Sequence, residues 1–328
     1  MAVTGDLGGK TVFVVGGSGG LGREMSKVMA SQGAHITIFS RKQKLLDEAV
    51  SEILAVRRDK SQKINTVAGD MGNAANAHSL LNSQPQMPDI LYCVAGGTPS
   101  ECGFLVDLEP KDFESCMVNN YYSSVYPAQA VLKRWVEDDA KDTEIPPCPR
   151  TRKIIFVNSS ASLIPTPGYL AYSAAKAAQR SLADTMRLEA MRYSGPKSTY
   201  IVQCVFAHNF ITPTFLEEQK SKPDLTKRIE GTEAIGGDSA ADISALESRF
   251  PHAHKIAPEI VAAVASNDFA VLDKRLEPQI LWANMIGTSP RRGWGIVDSL
   301  LAFVMFLVYP FVRRHTERQC KGDALHRA

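Results

Sequence analysis

Tyr172 and Lys176 stand four residues apart in Ala171-Tyr172-Ser173-Ala174-Ala175-Lys176, which sets a phenol and an ammonium on one face of a helix. A free phenol, with pKa about 10, exchanges protons poorly at neutral pH. A neighbouring ammonium favours the phenolate and lowers that value, so the pair predicts Tyr172 as a general acid. Y-x-x-x-K arises often by chance, and context has to decide. Ser159 ends an apolar run thirteen residues upstream, and Asn120 sits in the long helical stretch before it.

A second constellation lies at the other end of the chain. The apolar run Val12–Val15 leads into Gly16-Gly17-Ser18-Gly19-Gly20-Leu21-Gly22, and a helix is expected from about Leu21. A strand, a glycine loop and a helix N-terminus together let backbone N–H groups approach a pyrophosphate, with the helix favouring its charge. The spacing of Gly16, Gly20 and Gly22 is G-x-x-x-G-x-G. The end of the second strand meets the adenosine ribose in such folds, and an acid there binds both ribose hydroxyls. This chain has Phe39-Ser40-Arg41-Lys42 instead. The cationic pair favours a 2′-phosphate and hence NADP(H), against the plainer reading of a solvated helix start. Asp70, ending the third strand, fits either a hydrogen bond near adenine or the cap of the next helix.

Short apolar runs alternate with longer amphipathic stretches to carry these residues. The strand-like runs are Thr11–Val15, His35–Phe39, Lys63–Ala68, Asp89–Val94, Lys153–Asn158 and Thr199–Val205. Helix-like stretches cover Leu21–Gln32, Gln43–Arg58, Pro110–Val136 and Ala171–Tyr193. Alternation of this kind, with nearly continuous apolar strands, predicts an α/β fold with a doubly wound parallel sheet. Glu137–Arg152, polar and proline-rich, reads as a surface insertion. Phe210–Pro258, long and charged with Gly236-Gly237, reads as a mobile flap. The pattern changes near Lys274, which divides the chain into a catalytic domain over 1–274 and a tail over 275–328.

Charge is nearly balanced, at +2 from 37 basic and 35 acidic residues, so nothing global points to nucleic acid. The six cysteines form no C-x-x-C pair, which favours a reduced compartment and small core residues, and no metal site is expected. Met1–Lys10 lacks the basic and apolar stretches of a secretory signal. In the tail, Ile296–Val312 is a run of seventeen mostly apolar residues between Arg291-Arg292 and Arg313-Arg314. As a helix it reaches about 25 Å, short of a ~30 Å hydrocarbon core, and Asp298 and Pro310 weaken it. Trp282, Trp294 and Tyr309 sit where interfacial aromatics would, which favours a membrane-embedded or interfacial segment over a buried terminal helix.

Gly16/Gly20/Gly22, Asn120, Ser159, Tyr172 and Lys176, in this order and spacing, resemble the short-chain dehydrogenase/reductase family over roughly Lys10 to Leu272. The resemblance implies a seven-stranded Rossmann sheet in one domain and hydride transfer from a nicotinamide. It implies that Tyr172 protonates a carbonyl oxygen that Ser159 hydrogen-bonds. Lys176 would bind the nicotinamide ribose and depress the Tyr172 pKa, and Asn120 would support a chain of waters. Cofactor contacts are expected along Gly16, Ser18, Gly19, Gly20, Leu21 and Gly22, at Ser40, Arg41, Lys42 and Asp70, and at Tyr172 and Lys176. Three departures stand out: Val15 before the first glycine, Cys93-Val94-Ala95-Gly96 after the fourth strand, and Ala207-His208-Asn209-Phe210-Ile211-Thr212 after the sixth. Ala95 and Gly96 keep their place beside the cofactor, and Ile211 and Thr212 remain candidates for its carboxamide.

Within the family, Met117-Val118-Asn119-Asn120-Tyr121, Ser124-Val125-Tyr126-Pro127 and the tail Leu281-Trp282-Ala283-Asn284-Met285 are similar to the fungal 3-ketodihydrosphingosine reductase branch. That likeness implies an NADPH-dependent reductase of a long-chain ketone lipid in sphingolipid synthesis. It also implies a place at the endoplasmic reticulum membrane with the active site facing the cytosol. A homo-oligomer is expected. Retinal or a ketosteroid remains open as substrate, and an NADPH-sensing scaffold remains open as a reading without turnover.

Overall fold

The computed structural model describes residues 6–98, 100–164, 166–232 and 239–283, together with Phe303, Phe306, Leu307, Pro310, Phe311, Arg314 and Arg318. Seven parallel strands form one sheet: β1 Thr11–Val15, β2 His35–Ser40, β3 Ile64–Ala68, β4 Ile90–Cys93, β5 Arg150–Ser159, β6 Ser198–Ala207 and β7 Ala270–Val271. Their spatial order is β3-β2-β1-β4-β5-β6-β7, and every adjacent pair is parallel. The six long apolar runs of the sequence are strands, and the two-residue β7 completes the sheet.

Alternation along the central strands feeds two cores. Val12 and Val14 point to a layer containing Leu21, Met25 and Met29 of α1 (Gly20–Ser31), Leu46, Ala49 and Ile53 of α2 (Gln43–Val56), and Ile256 and Ile260 further along the chain. Phe13 and Val15 point to the opposite layer. There they meet Ala77 and Leu81 of α3 (Ala74–Asn82), a helix too short and polar to stand out in the sequence, capped by Asn73. The expected single helix over Pro110–Val136 is α4 (Pro110–Met117), a π-helical turn over Val118–Tyr122, and α5 (Ser123–Lys141). α6 (Leu170–Tyr193) buries Ala171, Ala175, Gln179, Ala183, Met186 and Ala190 as one stripe, which fixes the face on which Tyr172 and Lys176 emerge.

The stretch expected to be a mobile flap is largely helical where it is described. It forms α7 (Pro213–Ser221), α8 (Asp224–Glu230), α9 (Ala240–Glu247) and the first half of α10 (Ala253–Ala263). Ile211, Phe215, Leu246 and Phe250 bury one another there as a small separate core. Residues 233–238, including Gly236-Gly237, lie outside the described residues.

The catalytic body also extends past Lys274. α11 (Leu276–Ala283) places the Trp282 ring 4.8 Å from that of Phe206 and 6.3 Å from that of Phe269. Trp282 is therefore packed, partly buried, against the body. Trp294, Asp298, Tyr309 and most of Ile296–Val312 lie outside the described residues, while Phe303, Phe306, Leu307 and Phe311 are helical and exposed. Among the described residues, no helix is long and apolar enough to cross a membrane. Cys93, Cys102, Cys116 and Cys204 are buried and unpaired, and Cys148 is exposed.

Candidate active site

A cavity of about 1100 Å³ opens at the carboxyl ends of β1, β4, β5 and β6, beside the point where the chain reverses its direction of travel across the sheet. Gly16, Ser18, Gly19, Gly20, Leu21 and Gly22 line one end. Gly19 caps α1 without any side-chain hydrogen bond, so the N–H groups of the first turn are available to an anion. Gly16, at φ +87°, lies so close to the loop after β4 that a Cβ would fall 2.5 Å from the Ala95 backbone nitrogen. A side chain there would push the loop off the sheet.

Ser40, Arg41, Lys42 and Asp70 continue the wall. The Ser18 and Ser40 hydroxyls meet at 2.7 Å, and Arg41 donates to Asn119 Oδ1 at 3.1 Å. Asp70 does not cap the next helix, since Asn73 takes that place. Its Oδ1 instead accepts from the Gly72 N–H at 2.9 Å and holds the turn after β3. Ala95, Gly96 and Thr212 also face the cavity, and Thr212 caps α7 by accepting from the Phe215 N–H at 3.0 Å. Ile211 does not reach the wall. It is buried against Phe215 and Phe250.

Ser159, Tyr172 and Lys176 converge at the centre. Asn120 is fully buried behind them in the π-helical turn, where an extra residue per turn reorients a side chain. Its Oδ1 accepts from the Gly97 N–H at 2.8 Å, and its amide donates to the Gly97 and Cys116 carbonyls, each at 3.0 Å. Gly96 is a required glycine, because a Cβ there would sit 2.6 Å from Asn120 Oδ1 and 3.2 Å from Lys176 Nζ. Lys176 Nζ donates to the Val157 carbonyl at 3.0 Å and approaches Gln179 Oε1 at 3.4 Å. Burial lowers its pKa to about 8.

The phenol differs from the sequence expectation. Desolvation by the surrounding atoms raises the Tyr172 pKa above its usual value, while the hydrogen bond with Ser159 works in the opposite direction. Lys176 stands beside the ring. Its Nζ lies 5.8 Å from the ring centroid and is turned to the Val157 carbonyl. Tyr172 thus holds its proton across the neutral range, the state a proton donor needs.

A supporting network was not legible beforehand. Asn158 donates to the Lys176 carbonyl at 2.8 Å and to Gln179 Oε1 at 3.0 Å, and its own Oδ1 accepts from the Ser159 N–H at 2.7 Å. Gln179 in turn donates to the Ser124 hydroxyl at 2.7 Å. Their only signal is polarity at positions where the helix and strand patterns call for apolar residues.

Residues 10–205 match the family described as short chain dehydrogenase. The chain belongs to that family. Among its relatives, a PIGF/3-ketodihydrosphingosine reductase fusion protein of Schizosaccharomyces pombe is 30% identical over 93% of this chain, which spans 55% of that protein. A 3-ketodihydrosphingosine reductase of Aspergillus fumigatus is 28% identical over 92% of this chain and 81% of its own length. The Mus musculus 3-ketodihydrosphingosine reductase is 31% identical over 69% of this chain and 65% of its own length. Solved structures of levodione reductase (15% identical, TM-score 0.63, 80% of this chain and 94% of that one) and of NAD+-bound xylitol dehydrogenase (18%, 0.64, 82% and 97%) share the fold. For a short chain dehydrogenase, the uncapped start of α1 and the side-chain-free approach of Gly16 to Ala95 fit a dinucleotide phosphate. Together with family membership, they support a nicotinamide cofactor.

Proposed function

We propose that this short chain dehydrogenase reduces 3-ketodihydrosphingosine to dihydrosphingosine with NADPH, at the endoplasmic reticulum membrane and with its active site facing the cytosol. One arrangement carries the chemistry: a protonated phenol, Tyr172, beside the Ser159 hydroxyl and the Lys176 ammonium at the inner end of the dinucleotide cradle. The substrate follows from relatives named for that reaction over most of the chain.

When bound, the cofactor supplies a hydride to the ketone carbon. Ser159 orients the ketone oxygen by hydrogen bonding, and Tyr172 delivers a proton to that oxygen as it becomes negative. Lys176, held by the Val157 carbonyl, places a positive charge near the phenol and would meet the nicotinamide ribose of a bound cofactor. Asn120 holds the Gly97 backbone in place, so the loop after β4 keeps its distance from Lys176. The test is purified protein with NADPH and a panel of 3-ketodihydrosphingosine, retinal and a ketosteroid, followed by loss of nicotinamide absorbance. Turnover confined to retinal or the ketosteroid would replace the substrate assignment.

The NADPH preference rests on Arg41 and Lys42 on the cavity wall and on the lack of an acid at the end of β2. A charge-assisted contact to a 2′-phosphate contributes about 1.5–3 kcal/mol. Arg41→Ala is expected to raise KM for NADPH about ten- to a hundredfold and to leave KM for NADH nearly unaltered. Equal losses with both cofactors would assign Arg41 a structural part, through its bond to Asn119.

Membrane association draws support from apolar side chains left in solvent. Ile164 and Ile229 are exposed at the cavity wall, and Leu105, Val106, Leu170 and Leu225 are exposed on segments tied to the same region. The Gly103 N–H donates to the Gly168 carbonyl at 2.9 Å, and Thr226 donates to the Pro167 carbonyl at 2.8 Å. In the tail, Phe303, Phe306, Leu307 and Phe311 repeat at helical spacing and are exposed. Removing residues from Gly293 onward is expected to release the protein from membranes and to spare reduction of a short soluble ketone, because α11 and everything before it remain. A truncated protein inactive on both long and short ketones would make the tail part of the core.

A further inference from the structure

Beside Tyr172, the cavity wall carries charge that the reduction itself does not use. Glu218 on α7 and Glu230 at the end of α8 both line the cavity, as does Tyr169, whose ring centroid lies 6.1 Å from that of Tyr172. Lys222 does not line it. That side chain is fully buried behind the two carboxylates and donates to Glu218 Oε1 at 2.8 Å and Glu230 Oε2 at 2.6 Å. The Tyr169 hydroxyl donates to Glu218 Oε1 at 2.5 Å, with Glu230 Oε1 3.2 Å away, and Asn209 donates to Glu230 Oε1 at 3.0 Å.

Two carboxylates against one ammonium leave the cluster one negative charge in excess. Both acids line the cavity, and Lys222 does not. Arg249, the other cation of this region on the wall, is exposed and forms no ion pair with either carboxylate among the described residues. Desolvation by burial raises the Glu218 pKa, against the pull of Lys222 and of the Tyr169 hydroxyl. A pair that only tied α7 to α8 would need one acid. A cavity for a purely apolar ketone would be better lined without either.

We propose that Glu218 and Glu230 form the subsite for a cationic amine on the substrate, one carbon from the ketone that Tyr172 protonates. The assignment rests on the substrate reading above, since 3-ketodihydrosphingosine carries an ammonium on the carbon next to its ketone. It makes the acidic pair the element that selects an amino ketone over a plain long-chain ketone.

The test compares kcat/KM for 3-ketodihydrosphingosine with that for 1-hydroxyoctadecan-3-one, the same chain without nitrogen. Wild-type protein is expected to prefer the amino ketone about ten- to a hundredfold, and the ratio should fall toward one in Glu218→Gln. Glu230→Gln is measured the same way and covers the case in which the first variant does not fold. A third measurement needs no variant: decylammonium should inhibit wild-type protein at least about tenfold more strongly than decanol. Wild-type turnover of both ketones with equal kcat/KM would overturn the subsite and leave the reductase reading standing. A ratio unchanged by both substitutions, or equal inhibition by amine and alcohol, would overturn it too. Turnover of neither ketone would remove the substrate reading and the subsite with it.

Discussion

Tyr172→Phe is expected to lower kcat by about 10²–10⁴-fold while leaving dinucleotide affinity close to that of the wild-type protein. The ring keeps its place, tilted against Tyr169 at 6.1 Å and with Lys176 Nζ 5.8 Å from its centroid. Only the hydroxyl goes, and with it the proton for the ketone oxygen. Burial holds the phenol protonated through the neutral range, and phenylalanine has no hydroxyl at that place to deliver a proton. Ser159 is a far weaker acid, and Lys176 is turned to the Val157 carbonyl. Stopped-flow turnover with a cofactor-binding titration checks both halves. A variant that kept kcat within about threefold of wild type would remove Tyr172 from the reaction.

Lys176→Met should move activity and stability independently. Turnover is expected to drop by about 10²-fold or more, because the cation beside the phenol goes, and with it the contact proposed for the nicotinamide ribose. Stability behaves differently. Lys176 is 3% exposed, and burial lowers its pKa from 10.5 to about 8. Below pH 8 it is charged in both the folded and the unfolded chain, and burying that charge costs on the order of 3 kcal/mol. Between pH 8 and 10.5 the unfolded chain binds more protons than the folded one, so wild-type stability gains with rising pH as this cost is relieved. Methionine never carries the charge and shows no such gain. It does strand the Val157 carbonyl, a loss of about 1–3 kcal/mol at every pH. Compared with wild type, the variant should therefore stand roughly 3 kcal/mol better at pH 7 than at pH 10.5. Urea titrations at the two pH values measure this. A difference between the proteins that does not change with pH would mean that Lys176 is not charged in the folded interior below pH 8.

The readable features in the sequence were those with a short repeat. Val12 to Val15 and Ile154 to Val157 announced strands because their side chains are apolar on both faces, as a covered parallel sheet requires. The glycine loop and the Tyr172/Lys176 spacing were readable because each is a local geometric requirement. What escaped was set by contacts between distant segments. Whether the Tyr172 pKa rises or falls depends on how far distant segments bury the phenol, and desolvation by them decides it. The pairing of Glu218 with Glu230 needs two short helices that meet only after folding, and neither has a strong pattern of its own. Ile211 looked like a cofactor contact by its place after β6, but its side chain fills the small core beneath α7.

The parallel sheet has a consequence for how the molecule comes into being. No two of its strands can pair through a tight hairpin, because a parallel ladder needs a crossover each time. β1 precedes the other six strands in the chain and lies inside the sheet, where Val12 pairs with Ile36 on one side and with Ile90 on the other. As the chain leaves the ribosome, one edge of β1 stays open until β4 has followed, and β5 waits in the same way for β6. An open edge of valine, phenylalanine and isoleucine is a template for pairing with another unfinished chain. Folding of this kind is dominated by non-local contacts and is slow. The protein is therefore most exposed to aggregation during its own synthesis, before Glu218 and α8 have been made to close the far side of the cavity.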